Sequence, residues 1–298
     1  MACVLPLPYT RRLATGDRKS PKRERNRPMT RNPDSAAGLL GQTMRATGFL
    51  SRLPIPARYW DDAPSSAMGD DARTFPLAGV VIAAGPAVLL LALSAVGLPT
   101  LMTSVFVVLS LVAITGTLHE DGLGDVADGF GGGATKERRL EIMKDSRIGT
   151  YAAVAIAGSL MLRVAGLGAL IAAHGAWAAA VMLIAVAAAS RGAMVWFWTG
   201  MPNARGDGVA HAAGTPDETA ANFAVITGLA IFAVLGFAVC GFVNTAAALL
   251  FAAAATFGFS RLCRRMIGGV TGDTLGACQQ IAEIMLLTGL ALGFSIPT

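Results

Sequence analysis

The chain has 298 residues, of which 54% are hydrophobic and only 14% charged, with 35 glycines. Length alone would suit one or two soluble domains, but this composition excludes them and describes an all-α polytopic membrane protein. The formal charge of +5 is carried by the first 34 residues, which hold nine Lys/Arg against three Asp/Glu.

Residues 1–36 form a basic tail with too few large apolar side chains to offset ordering entropy, so disorder is expected there. Its charge suits the neighbourhood of anionic lipid, and no nucleic-acid partner is expected. An integral membrane domain is expected over 37–298. The segment AAGLLGQTMRATGFLSRLPIP spaces Leu39, Leu40, Met44, Phe49 and Leu50 as a helix resting on the membrane without crossing it. The four cysteines, Cys3, Cys240, Cys263 and Cys278, show no paired spacing, which argues against a disulfide framework or a zinc site.

Apolar segments of about 20 residues are expected to span at 75–98, 101–118, 151–173, 177–198, 221–243, 245–262 and 280–296, about seven in all. The weakest boundary is near Asn244, where apolar character runs on unbroken. Connections after the even-numbered spans carry Lys136 to Arg147, then Arg205, then Arg264 and Arg265. Those after the odd-numbered spans carry no Lys or Arg. This sorting places the N-terminus and the three polar loops in the cytoplasm, so distant loops can build one site.

The longest polar interval, His119 to Thr150, holds Glu120, Asp121, Asp125 and Asp128, then Lys136, Arg138, Arg139, Lys144 and Arg147. On a helix, Asp121, Asp125 and Asp128 align at i, i+4 and i+7. Bunched carboxylates repel unless a cation sits among them, and hard oxygen ligands beside a phosphate suit Mg²⁺ or Mn²⁺. Metal candidates are therefore Asp121, Asp125, Asp128 and Glu120, with Asp125 or Asp128 as the proton acceptor. His119 is read as a packing or hydrogen-bonding residue. Gly131, Gly132 and Gly133 offer a phosphate cradle or a helix end.

Lys144 and Arg147 are expected on phosphate oxygens. The second and third loops add Arg205 and Asp273 as substrate-binding candidates. Arg163 and Arg191 fall inside spans, where a charge costs about 2.5–3.5 kcal/mol. Arg191 is expected to face the interior and reach an anionic substrate group, and Arg163 to snorkel. Glu283 is a candidate partner for either.

Several segments together resemble the cobalamin synthase (adenosylcobinamide-GDP ribazoletransferase) family: FLSRLPIP (49–56), RTFPLAG (73–79), HEDGLGDVADG (119–129), RRLEIMKDSRIGTY (138–151), AASR (188–191) and GGVTGDTLGA (268–277). The resemblance runs from about residue 45 to 296. One departure is Glu120, where members of that family usually carry an apolar residue. The resemblance implies an enzyme of the inner membrane that joins adenosylcobinamide-GDP to α-ribazole, or its 5′-phosphate, with release of GMP and with Mg²⁺ as cofactor. It also leaves open a homo-oligomer, or a complex with other nucleotide-loop assembly enzymes.

Two other readings stay in view. A CDP-alcohol phosphatidyltransferase would use the same reaction type, but its D-x-x-D-G-x-x-A-R pattern is not reproduced. A cation transporter would place its carboxylates deep within spans.

Overall fold

A computed structural model describes residues 36–61 and 68–293. The expected basic tail lies outside these residues, except for Ala36. The helices of seven residues or more among the described residues are α1 (Ala36–Leu50), α2 (Phe75–Ala95), α3 (Thr100–Thr115), α4 (Leu118–Gly132), α5 (Lys136–Ile142), α6 (Thr150–Thr199), α7 (Glu218–Met266) and α8 (Gly272–Leu290). Among the described residues there is no strand, only an isolated bridge between Asn203 and Val270. The chain is an all-α membrane helix bundle.

α1 buries Gln42, Thr43, Ala46, Thr47 and Leu50 and packs on α2. Polar residues are tolerated on that face because Thr43, Thr47 and Ser51 each donate to a carbonyl one turn back. Arg45 also clamps Asp71 with two bonds of 2.6 Å, which ties α1 to the entry of α2.

By length and hydropathy, three elements among the described residues can cross a membrane: Met68–Ala95, Thr150–Thr199 and Glu218–Met266. The α3–α4 pair, bent by 87°, brings the number to four. This differs from the expected seven partly because α6, at 50 residues, and α7, at 49, are double-length elements. Each is interrupted at one glycine with non-helical backbone, Gly175 at φ 82° and Gly241 at φ 77°. Only glycine takes that conformation without strain.

Contacts show that both elements fold back there. Ser159 and Ser190 of α6 would stand about 46 Å apart on a straight helix, yet they bond to the adjacent Gln280 and Gln279 of α8. In α7, a Cβ placed on Gly236 would lie 2.8 Å from the Thr245 side chain. The break in α7 falls at Gly241 rather than near Asn244. Asn244 instead donates to the carbonyls of Leu290 and Leu292, closing the end of α8.

The last helix also starts earlier than expected. Thr271 and Thr274 form a reciprocal capping box that begins α8 at Gly272, satisfying amides that a helix start leaves open.

The polar loops meet at one end of the bundle. Arg139 donates to the Met266 carbonyl at 3.0 Å, Lys144 pairs with Asp207 at 2.7 Å, and the Ala204 amide donates to the Val270 carbonyl at 2.8 Å. Loops from three distant parts of the sequence therefore share one surface.

Candidate active site

α4 carries the acids. After Gly116 and Thr117, both in the left-handed region at φ 62° and 61°, the chain turns and runs toward the loop-bearing end. It lies antiparallel to the first turns of α6 and α8. The contact with α8 is close: a Cβ on Gly122 would stand 2.6 Å from the Asp273 carbonyl oxygen. Glycine at this position brings Asp273 beside Asp121 and Asp125, a neighbour that helical spacing alone does not reveal.

Asp121 is exposed, whereas Asp125, Asp128 and Asp273 are partly buried. Asp125 is crowded by the carboxylates of Asp273, Asp121 and Asp128. Among the described residues, no three His, Cys, Asp or Glu side chains converge closely enough to hold a metal ion. The donor chemistry of Asp121, Asp125 and Asp273 nevertheless fits a hard divalent cation, because crowded carboxylates repel one another until a cation shares them.

Asp128 belongs to the same face but has another task. Its two carboxylate oxygens accept from the Gly149 amide at 2.6 Å and the Ala152 amide at 2.9 Å, so it caps α6 from a neighbouring helix. This capping role is one the sequence did not reveal for a residue expected to bind metal or take a proton. Both oxygens are engaged with amides that a helix start would otherwise leave without acceptors.

Glu120, also expected as a metal candidate, is paired with a cation inside the bundle. It is 4% exposed and accepts from Arg163 at 2.7 Å, on the side of α4 turned away from the aspartates. Arg163 does not snorkel; it also donates to Glu283 at 2.8 Å. Gln280 donates to Glu120 and Gln279 to Glu283. The result is an internal ion triad linking α4, α6 and α8.

Arg191 is 2% exposed. One of its terminal nitrogens donates to the Ala187 carbonyl of its own helix at 2.9 Å. As expected, Arg191 faces the interior.

Several cations of the loops are held by acids. Lys144 pairs with Asp207. Arg205 donates to Asp273 at 3.0 Å and lies 3.7 Å from Asp207, and Thr271 donates to Asp273 at 3.2 Å. Arg147 is bound to its near neighbour Asp145, whose carboxyl it holds at about 2. Lys144 lowers Asp207 in the same way. The Lys144 and Arg147 pairs are exposed and therefore weak, so an incoming phosphate can take those cations over, whereas the Arg205–Asp273 pair is largely buried. Gly131 and Gly132 close α4, and Gly133 follows as its cap.

Sequence reading treated Asp273 as a substrate ligand only and gave His119 no ligand. His119 is 2% exposed and neither ring nitrogen has a hydrogen-bond partner. It lines a cleft that also reaches Asp121 and Asp273. A buried histidine beside an acid pair leaves no periodic signal in the sequence.

Together, the bundle and its site define an integral membrane protein with an acidic centre, ringed by exchangeable cations, at one end of its helices. The chain matches the Cobalamin-5-phosphate synthase family over residues 42–291 and belongs to it. Relatives from Brucella ovis, Brucella canis and Brucella melitensis, each named adenosylcobinamide-GDP ribazoletransferase, are 45% identical over 255 residues, covering 86% of this chain and 98% of theirs. No solved structure matches the chain.

Proposed function

We propose that this protein is an adenosylcobinamide-GDP ribazoletransferase. It joins adenosylcobinamide-GDP to α-ribazole, or its 5′-phosphate, and releases GMP. The observation that carries this reading is Asp273 packed against Gly122, which adds a distant carboxylate to the Asp121–Asp125 face within a chain 45% identical to proteins of that name.

Asp121, Asp125 and Asp273 would hold Mg²⁺, or Mn²⁺ in its place. When bound, the ion supplies charge neutralisation on the diphosphate and on the departing phosphate. Lys144 and Arg205 bind phosphate oxygens after exchanging their carboxylate partners. Arg147 does the same from the exposed rim. The hydroxyl of α-ribazole attacks the phosphorus on the cobinamide side of the diphosphate, and Asp125, at the centre of the acidic face, takes its proton. The bond to the GMP oxygen breaks, and GMP leaves with that electron pair. Asp128 fixes the start of α6 against α4 and so holds the acidic face in place.

The two folded-back elements, together with α2, the α3–α4 pair and α8, give seven crossings in this reading. The Lys/Arg distribution supports a cytoplasmic position for the loop-bearing end, in a protein of the inner membrane. Assembly with itself or with neighbouring enzymes of the same sequence of reactions is compatible with this arrangement.

The test is GMP release. Purified protein with Mg²⁺, adenosylcobinamide-GDP and α-ribazole should form GMP and a cobamide in equal amounts. Nucleotide release from a CDP-activated lipid, with none from adenosylcobinamide-GDP, would transfer the chain to lipid phosphotransfer.

A further inference from the structure

A cleft opens beside Asp121 and Asp273 and runs inward between α1, α2, α4, α6 and α8, and its make-up is unlike that of the charged surface above it. Its walls include Phe49, Phe75, Leu118, Met194 and Leu275. The rings of Phe49 and Phe75 pack with centroids 6.1 Å apart, so aromatic carbon makes up part of one wall. Within this apolar lining, His119 keeps both ring nitrogens without a hydrogen-bond partner. A buried imidazole left so is costly, and a ligand bonded to it would remove that cost.

The chemistry selects the ligand. A neutral imidazole offers one donor and one acceptor, and aromatic and aliphatic walls favour a flat ring with few polar edges. Guanine has polar atoms around most of its rim, and most would be stranded here at a cost in free energy. The benzimidazole ring of α-ribazole has one free ring nitrogen once the other carries the ribose. It can accept a single bond and bury the rest of its surface.

Resting on the transferase reading above, we propose that this cleft receives the base of the incoming α-ribazole, with a His119 ring nitrogen donating to the free nitrogen of the base. The ribose then lies toward Asp121 and Asp273, where its hydroxyl meets the diphosphate. His119 is thereby a residue that determines which base is accepted.

The test uses full-length protein in detergent and labelled α-ribazole, with binding measured without turnover and KM measured for both substrates. His119→Ala should weaken α-ribazole binding and raise its KM by about tenfold or more, with KM for adenosylcobinamide-GDP unchanged. His119→Gln, which retains a donor, should restore part of the loss. Val209→Phe, which fills the cleft from another wall residue, should weaken α-ribazole binding similarly even if His119→Ala does not fold.

Unchanged α-ribazole binding in these variants, or equal weakening of both substrates, would overturn the assignment. So would a loss of kcat alone, or weakened binding of GMP with α-ribazole unaffected. Wild-type protein that binds α-ribazole in this cleft but releases no GMP would instead overturn the transferase reading and leave the cleft assignment standing.

Discussion

Glu120 and Asp121 are neighbours in sequence and opposite in circumstance. Glu120 is buried against Arg163 in a triad closed by Glu283, whereas Asp121 is exposed beside Asp125 and Asp273, the last held by Arg205. The interior of the bundle pairs Arg163 with both Glu120 and Glu283 and so fixes the geometry. The loop-bearing end leaves acids crowded and cations loosely held, which is the condition for binding a metal and a diphosphate. The difference lies in the partners rather than in the residue types.

The largest effect should come from the acidic face. Asp121→Ala or Asp125→Ala should lower GMP release by about a thousandfold, since several kcal/mol of charge stabilisation would be lost. Thermal unfolding in detergent should be unchanged, because these side chains are not part of the internal triad. In the interior the pattern reverses. Arg163→Met should cost about 3–5 kcal/mol of stability by leaving two buried carboxylates uncompensated, read as a fall in Tm. Replacing Glu120 and Glu283 by Gln in the same chain should recover much of it.

Asp128→Ala should lie between the two extremes. Losing a helix cap costs about 0.5–2 kcal/mol, and activity should fall with it, because the face on which Asp125 sits is anchored there. Lys144→Ala should have the smallest effect on folding. Its pair with Asp207 is about half exposed on both sides, and such pairs contribute about 0–1 kcal/mol. KM for adenosylcobinamide-GDP should still rise, and the rise should shrink in high salt.

Much of this contrast was legible in the sequence because it follows from period and composition. The i, i+4, i+7 spacing of Asp121, Asp125 and Asp128 does form one helical face, and the cationic loops sorted by charge do meet at one end of the bundle. What could not be read was which carboxylates have partners. Asp128 and Asp125 look alike in the chain, but only Asp128 lies opposite the open amides of Gly149 and Ala152. Glu120 reads as a fourth acid until Arg163, far along the chain, is seen to claim it. Asp273 enters the site through a close approach at Gly122, which helical periodicity does not encode. The break in α7 was displaced for a simpler reason, since hydropathy does not distinguish Gly241 from its apolar neighbours.

The most direct test of the acidic centre is manganese binding, followed by electron paramagnetic resonance on the purified protein in lipid nanodiscs. Wild-type protein should bind Mn²⁺, with binding lost or greatly weakened in Asp121→Ala and Asp125→Ala and retained in Arg191→Lys. Mn²⁺ bound with equal affinity by wild type and both aspartate variants, or by none of them even with adenosylcobinamide-GDP present, would contradict metal capture at this face.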